Sequence, residues 1–335
     1  MPPSLQSLIT AQPRTRPSPP HASSRPSAEA EDPADIFASA LGSVFADDAR
    51  DVHGDAATPV EYRAVRVADV VGEEERGRFA HYVWNAGVLV GEVCGGSRKV
   101  GTMGRGEGGN GVNGGEEERE KIEGGWWLTE EEETRWSVEG ESVIELGAGA
   151  GLGGIMSVLG GAKRVTITDY PSSTLLTALT HNITTNVPPP LRATVTTMPH
   201  LWGDIHPPSP AACPAHAHAY TRVLAADCLW LSAQHAALAR SMKHFLSPRD
   251  AGASVIVAAG FHTGRAKVAA FFEEAAPAEG LMVREIWEVD VRSGVRREWR
   301  TKREGEGVAE RKAWLVLARL GVGVREEGSG EMVEA

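Results

Sequence analysis

The chain has 335 residues and a formal net charge of −11, with 41% apolar and 24% charged residues, which is ordinary for a globular protein. The acidic balance argues against a nucleic-acid partner or an anionic membrane surface, and no apolar run approaches the roughly eighteen residues of a membrane span. The three cysteines form no C-x-x-C pair, so we expect neither a zinc site nor a disulfide framework, and we predict a cytoplasmic protein.

Both termini and one internal segment are predicted to lie outside the folded core. Residues 1–32 are rich in Pro, Ser, Ala and Arg and cannot bury a core, so we predict a disordered tail there, and a second one at 323–335. Residues 95–125 consist mainly of Gly, Glu, Arg and Asn and are predicted to form a flexible insertion. We therefore expect one domain over residues 33–322.

The first patterned region precedes this insertion. Apolar residues recur at helical spacing over 36–45, and residues 62–70 suggest a short extended piece. The run F-A-H-Y-V-W-N-A-G-V-L-V (79–90) predicts a largely buried helix, in spite of Gly87.

From Ser142 onward, apolar strands alternate with helices, which predicts a parallel sheet with right-handed crossovers. The last two strands have no helical pattern between them, so they are expected to pair antiparallel at one edge, with a loop over 292–310. The predicted fold is an α/β, Rossmann-like, doubly wound seven-stranded sheet, mostly parallel with an antiparallel edge strand. The predicted strands are 142–147, 164–169, 193–198, 222–227, 253–260, 281–290 and 311–320, and the helices are 152–160, 171–185, 232–246 and 264–275.

The sequence V-I-E-L-G-A-G-A-G-L-G-G (143–154) is typical of a strand that turns into a helix at a ligand. Gly147, Gly149 and Gly151 let the backbone approach a ligand where a Cβ would collide, and the following helix points its amino terminus there. Asp169, at the end of the next strand, could accept hydrogen bonds from both hydroxyls of a ribose. The unit predicts an adenosine-containing cofactor.

More than one cofactor fits this turn. Residues 149–154 also satisfy G-x-G-x-x-G, with Asp169 twenty residues after Gly149, so a nicotinamide dinucleotide stays open, as does a turn without any ligand. Glu145 would repel a pyrophosphate but could contact a cationic amino-acid group, directly or through water. The chain has neither a Tyr-x-x-x-Lys pair nor a G-K-[ST] motif. These features favour S-adenosylmethionine.

Several further segments occur in order along the chain. They are L-G-S-V-F (41–45), H-Y-V-W-N-A-G (81–87), V-I-E-L-G-A-G-A-G-L (143–152), V-T-I-T-D-Y-P (165–171), L-W-G-D (201–204), A-A-D-C-L-W (225–230), H-F-L-S-P (244–248), G-F-H-T-G-R (260–265) and E-R-K-A-W-L-V (310–316). With them the chain resembles the seven-strand class I methyltransferases. Within that group it is similar to a fungal family of protein N-terminal and lysine methyltransferases, formerly labelled nicotinamide N-methyltransferase-like. The resemblance covers about Asp35 to Leu320.

The resemblance implies roles for individual residues toward S-adenosylmethionine. Trp84 would border its methionine end, and the glycine turn would hold its amino-acid portion. Asp169 would bind its ribose, Trp202 would lie near its adenine, and Ala226 would lie at the end of the fourth strand. Tryptophan can stack on adenine or approach a sulfonium by cation–π attraction, although both tryptophans could instead be core aromatics. The cofactor-binding residues predicted in the turn are Gly147, Ala148, Gly149 and Gly151.

The acceptor is expected to enter beside the fourth strand. Asp227 and Trp230 form a D-C-L-W version of a D-x-x-[YF] pattern, so Asp227 could orient or desolvate an amine and Trp230 could line its channel. Alternatively, Asp227 caps the following helix. His262 and Arg265 are predicted to open the sixth helix. The histidines of 206–218 lack metal-ligand spacing, so no metal site is expected.

The resemblance implies methyl transfer to an amine of translation elongation factor 1-alpha, at its N-terminus or at nearby lysines. Two alternatives stay open at this point. One is a small-molecule methyltransferase acting on a pyridine such as nicotinamide, and the other is a dinucleotide-binding module. We expect a monomer that has a protein substrate and binds neither nucleic acid nor a membrane.

Overall fold

The computed structural model of the protein describes residues 84–95, 128–290 and 295–323. The patterned stretches at 36–45 and 62–70, the tail at 1–32 and nearly all of the 95–125 insertion and the 323–335 tail lie outside these ranges. The predicted buried helix at 79–90 is confirmed for its described part, which begins at Asn85.

The described helices and strands alternate over most of the chain. The helices are α1 (Asn85–Gly95), α2 (Glu130–Trp136), α3 (Leu152–Leu159), α4 (Ser173–Asn186), α5 (His235–Phe245), α6 (Arg265–Ala270), α7 (Ala276–Ala278) and α8 (Val308–Lys312). The strands are β1 (Ser142–Glu145), β2 (Arg164–Asp169), β3 (Val195–Pro199), β4 (Arg222–Ala226), β5 (Ser254–Gly260), β6 (Leu281–Asp290), β7 (Arg296–Glu298) and β8 (Trp314–Val322). Short 3₁₀ turns occur at Pro189–Thr194, Pro210–Ala212 and Ser232–Gln234, and a π turn at Phe271–Ala275 joins α6 to α7.

The eight strands form one sheet in the order β3-β2-β1-β4-β5-β8-β6-β7. Strands β1 to β5 are parallel, and Val143 of β1 pairs with Val165 of β2 on one side and with Arg222 of β4 on the other. The strand order therefore reverses at β1 and β4. In an open α/β sheet this switch point leaves a crevice at the carboxyl ends of the strands, where ligands bind.

Helices cover both faces of the sheet, as a doubly wound fold requires. One buried cluster joins α1, α3 and α4 to alternate strand residues such as Val143, and a second joins α5 and α6 to the neighbouring residues such as Ile144. Helices α1 and α3 approach closely because Gly91 has no side chain, and a Cβ there would lie 3.2 Å from Met156 and 3.3 Å from Leu152. The first described helix is thereby held against the helix that follows the glycine turn.

The mostly parallel sheet with an antiparallel end is confirmed, but the predicted count of seven strands is wrong. The eighth strand, β7, pairs antiparallel with β6 and lies within the 292–310 segment, which is predicted to be a loop; α8 also begins in this segment. The sequence of β7 is Arg-Arg-Glu and has no apolar alternation. Contacts distant in the chain hold it: the guanidinium of Arg296 lies 4.0 Å from the centre of the Trp287 ring. Strand β8 is also not an edge, since it lies between β5 and β6.

Within the described ranges, the helices are all too short or too polar to cross a membrane.

Candidate active site

A cleft that is partly open to solvent lies at the carboxyl ends of β1, β2 and β4. It is completed by the start of α1 on one side and by the turn that precedes α5 on the other. Its lining residues are Trp84, Gly87, Glu145, Gly147, Ala148, Gly149, Ala150, Leu152, Gly153, Asp169, Tyr170, His200, Leu201, Trp202, Ala226, Asp227, Cys228, Trp230, Leu231 and Gln234. The structure thus brings every predicted site residue except Gly151 to one cleft.

The turn after β1 adopts a backbone that favours glycine. Gly147, Gly149 and Gly151 have φ angles of 62°, 53° and 82°, in the left-handed region that other residues rarely adopt. A Cβ at Gly147 would lie 2.7 Å from the Trp202 indole and 3.0 Å from the Cys228 sulfur, so the missing side chain lets both pack on the turn. Gly151 precedes α3 as its N-cap residue and faces the core instead.

Asp169 ties the end of β2 to this turn. Its carboxylate accepts hydrogen bonds from the backbone N–H of Gly149 at 2.7 Å and of Tyr170 at 2.6 Å. Burial raises the pKa of Asp169, while these two N–H donors lower it. The carboxylate lines the cleft and keeps acceptor capacity, because two oxygens offer about four lone-pair positions. It can therefore accept hydrogen bonds from a ligand while it holds the turn.

Glu145 lies under the amino terminus of α3 and is 2% exposed. Its Oε2 accepts a hydrogen bond of 2.8 Å from the backbone N–H of Gly154. Burial raises the pKa of Glu145 to about 8; the N–H groups of Gly154 and Gly153 oppose this rise and the nearby charge of Asp169 adds to it. A Cβ at Gly153 would lie 2.6 Å from Oε1, so the later glycines of the G-x-G-x-x-G match make room for this carboxyl group.

Three tryptophans border the cleft, and all three are half-buried. Trp84 stands at the start of α1, where its carbonyl accepts the N–H of Val88 at 3.0 Å. Trp202 follows β3 and packs against the core cluster beneath α5. Trp230 lies in the segment after β4, close to Asp227 in the chain. Their partial exposure distinguishes them from core aromatics such as Trp136, which is fully buried.

Asp227 occupies an unusual backbone position at the end of β4. Its φ is 53°, a left-handed value that is uncommon for a residue other than glycine. Its N–H donates to the carbonyl of Ala258, and its Oδ1 accepts the N–H of Gly260 at 3.1 Å. The carboxylate therefore caps the end of the neighbouring strand β5, not the helix that follows it in the chain, which removes the helix-cap alternative.

Several residues around the cleft were not assigned to it from the sequence. Tyr170, His200 and Gln234 line it. His262, predicted only to open a helix, places its Nε2 3.8 Å from Oδ2 of Asp227, and its ring centre lies 5.7 Å from that of Trp84. Its position just after β5, at the same sheet edge as the other strand ends, is the signal that could have identified it.

Two neighbours of the cleft have structural roles. Arg265 does begin α6 as predicted, and its guanidinium pairs with Glu288 at 2.5 Å and with Glu306 at 2.7 Å. Cys228 is buried, and burial raises the pKa of its thiol well above the ordinary value. Its sulfur donates to the carbonyl of Leu146 at 3.2 Å, as expected for a small packed residue. Across the described part of the chain, no group of three or more His, Cys, Asp and Glu residues could hold a metal ion.

The described lining of the cleft contains acidic and aromatic side chains and His200, but no Lys or Arg. Glu145, Asp169 and Asp227 line it together with the three tryptophans, and none of the described residues that line it is Lys or Arg. A pyrophosphate would meet the carboxylates of Asp169 and Asp227 here, with no Lys or Arg in the described lining to balance its charge. A ligand that carries positive charge would instead meet carboxylates and the faces of aromatic rings.

Comparisons with known proteins agree with this chemistry. The model of the family described as Lysine methyltransferase matches residues 70–276, which is more than half of the chain. The chain is 28% identical over 128 residues to the protein N-terminal and lysine N-methyltransferase efm7 of Aspergillus fumigatus, covering 38% of this chain and 49% of that protein. It is 34% identical to the same-named protein of Yarrowia lipolytica, covering 35% and 48%.

A mammalian relative is more similar over a shorter stretch. The chain is 38% identical over 110 residues to EEF1A lysine methyltransferase 3 of Mus musculus, covering 32% of this chain and 42% of that protein. The matched parts span less than half the length of each of these three relatives.

Proposed function

The chain belongs to the lysine methyltransferase family, and from that membership we propose that it transfers a methyl group from S-adenosylmethionine to an amine nitrogen of a protein. The observation that carries the choice of cofactor is the acidic and aromatic lining of the cleft, which within the described residues has no Lys or Arg. S-adenosylmethionine carries an ammonium and a sulfonium and no phosphate. A nicotinamide dinucleotide would place its pyrophosphate against the same carboxylates.

The residues present fit the parts of this cofactor. The turn Gly147-Ala148-Gly149 would hold the amino-acid portion, since its positive φ angles keep side chains away from the bound group. The carboxylate of Asp169 would accept hydrogen bonds from the ribose hydroxyls, as acids at this position of a βαβ unit do. Ala226, at the end of β4, would leave space beside the ribose. Gly151 would act indirectly, by starting α3 at the required angle.

Aromatic rings would hold the two ends of the cofactor. Trp202 presents a half-buried indole at the turn and would pack on the adenine. Trp84, at the other side of the cleft, would face the sulfonium, which a tryptophan ring attracts through its negative face. The methionine carboxylate would meet the N–H groups at the start of α3, where the helix dipole favours negative charge.

The cofactor supplies an activated methyl group whose leaving group is a neutral thioether, so no strong acid or metal is required of the protein. The chain's own residues must orient a neutral amine in line with the methyl carbon and exclude water. Asp227 lies at the cleft with its carboxylate fixed by the N–H of Gly260, where it would orient the incoming amine. Trp230 would line the channel that the side chain of the acceptor enters.

The acceptor proposed is translation elongation factor 1-alpha, at its N-terminus or at a lysine. The names of the fungal and mouse relatives describe N-terminal and lysine methylation, and the mouse name refers to EEF1A. A translation factor is encountered in the cytoplasm, so we place the enzyme there, acting as a monomer on a protein substrate. The net charge of −11 suits a basic partner.

Titration calorimetry tests the cofactor. We expect S-adenosylmethionine and its demethylated product to bind to the full chain with a stoichiometry near one, and NAD to give no heat beyond dilution. Binding of NAD in preference to S-adenosylmethionine would overturn the proposal and favour a dinucleotide-binding module.

A methyl-transfer assay tests the acceptor. The full chain is incubated with methyl-labelled S-adenosylmethionine and either purified elongation factor 1-alpha or nicotinamide, and the modified residue is located by mass spectrometry. Label on the protein at its N-terminal amine or at a lysine supports the proposal. Label on nicotinamide with none on the protein would show a small-molecule methyltransferase instead.

A further inference from the structure

We propose that His262 is a positioning residue that acts through Asp227 in removing a proton from the acceptor. An acceptor ammonium must lose one proton before methylation, and this proton passes first to Asp227 and then to His262. This inference rests on the proposed function. An alkyl amine such as that of lysine, with a pKa of about 10.4, is almost entirely protonated near neutral pH and has no free electron pair. The site therefore needs a route by which a bound ammonium loses one proton.

The geometry places the two groups in sequence behind the cleft. Asp227 lines the cleft, whereas His262 lies behind it, with Nε2 3.8 Å from Oδ2 of Asp227. The side chains of Asp227 and His262 are 10% and 13% exposed, so solvent reaches them little. The other oxygen of Asp227 accepts the N–H of Gly260, which leaves Oδ2 toward the imidazole.

Two further features bring the imidazole to this carboxylate. Gly260, the last residue of β5, has no side chain, and a Cβ there would overlap the His262 ring. Trp84 lies on the other side, with its ring centre 5.7 Å from that of His262. The ring of His262 is thus enclosed by the end of β5 and by a tryptophan of the cleft.

Asp227 is a charged neighbour of His262 in the described structure. Trp84, just before α1, lies beside the His262 ring, and the guanidinium of Arg265 at the start of α6 pairs with Glu288 and Glu306.

One N–H bond of the substrate ammonium breaks as its proton passes to the Asp227 carboxylate, and that proton then passes to Nε2 of His262 as the 3.8 Å separation closes to hydrogen-bond distance. The amine regains its electron pair, which forms the new N–C bond while the C–S bond breaks and its electrons stay on sulfur. The imidazolium returns its proton to solvent after product release.

The pH dependence of methyl transfer tests this role. With a lysine-containing protein acceptor, kcat/KM of the wild-type chain should level off well below the pKa of the amine, because the enzyme binds the ammonium and removes its proton. In His262→Gln, which keeps a hydrogen-bonding group without a base, log kcat/KM should rise with unit slope up to the pKa of the amine. At pH 7 we expect a loss of about 100-fold, which shrinks as the pH rises.

The matched control is His206→Gln, the same change at an exposed histidine outside the cleft, and it should keep the wild-type profile. Calorimetry with S-adenosylmethionine should give the wild-type affinity for both variants, which shows that they are folded. If the wild-type chain is active but its pH profile of kcat/KM has the same shape as that of His262→Gln, the role of His262 is overturned and the methyl-transfer function stands. If His262→Gln does not fold, the wild-type profile decides by itself. A rise of log kcat/KM with unit slope up to the pKa of the amine would overturn the role of His262.

Failure of the proposed function has a different signature. A wild-type chain that binds no S-adenosylmethionine, or binds it and labels no amine at any pH, would remove the reaction together with this proton route.

Discussion

The carboxylate of Asp169 accepts the backbone N–H of Gly149 at 2.7 Å, so the end of β2 fixes the glycine turn that follows β1. One side chain therefore serves both the shape of the turn and the ribose site that we propose.

Replacing Asp169 should weaken cofactor binding. Hydrogen bonds to charged groups contribute about 1.5–3 kcal/mol each, so Asp169→Ala should raise the Kd for S-adenosylmethionine by about 10-fold or more in calorimetry. Asp250→Ala is the matched control, because Asp250 also accepts a backbone N–H, that of Gly252, but is exposed and lies outside the cleft. Equal affinities of the two variants would contradict the ribose role.

A methyl group at Gly147 should disturb the site more than it disturbs the fold. Gly147→Ala combines a φ of 62° with a Cβ 2.7 Å from the Trp202 ring. Gly140→Ala is matched, since its φ is 74° but nothing lies within 4 Å of its Cβ. Both should lose about 1–2 kcal/mol of stability from the left-handed backbone. Only Gly147→Ala should lose affinity for S-adenosylmethionine and shift the tryptophan fluorescence. Equal affinities of Gly147→Ala and Gly140→Ala would argue against a position of Trp202 at the adenine.

The buried Glu145 should make stability depend on pH. Its pKa in the folded protein is about 8, above the ordinary 4.5, so between these pH values the folded state holds more protons than the unfolded state. The free energy of unfolding should therefore fall as pH rises through this window. Glu145→Gln, which keeps an oxygen for the N–H of Gly154, should remove that part of the fall. Urea unfolding of the wild type and of Glu145→Gln from pH 5 to 8.5 checks this. If the free energies of unfolding of the two proteins change with pH in parallel, the prediction is wrong.

The ion pairs made by Glu288 of β6 should contribute strongly to stability. Glu288 is fully buried and pairs with Arg265 at 2.5 Å, Arg297 at 2.7 Å and Arg303 at 3.3 Å. Glu288→Gln should lower the free energy of unfolding by about 3–5 kcal/mol, because three guanidinium groups lose a fully buried carboxylate partner and only Arg265 and Arg297 keep Glu306. At the exposed pair of Glu298 with Arg300, Glu298→Gln should cost at most about 1 kcal/mol. Similar urea midpoints for the two variants would contradict this.

The parts of the fold that depend on local pattern could be predicted from the sequence. The alternation of apolar strands and helices predicted β1 to β6 and β8 within a few residues, and the glycine turn with Asp169 predicted the location of the cleft. These signals are strong because burial on both faces of a parallel strand demands a continuous apolar run.

The parts that depend on distant contacts could not be predicted in this way. Strand β7 exists because Arg296 packs on Trp287 and Arg297 pairs with Glu288, neither of which leaves a periodic trace in the sequence. His262 was predicted to open a helix, since a sequence does not show which way a side chain points. The sequence predicts that Glu145 addresses a cationic group, and it gives no sign that this carboxyl group accepts the N–H of Gly154 at the start of α3.

Strand β7 also affects how the folded chain behaves at high concentration. Among the described strands it is the last in the sheet, and the edge of a sheet can pair with a strand of another molecule and start aggregation. Here the terminal strand is only three residues long and consists of Arg296, Arg297 and Glu298. A short, charged last strand offers little surface for such pairing, so this end of the sheet is protected against growth by addition of further chains.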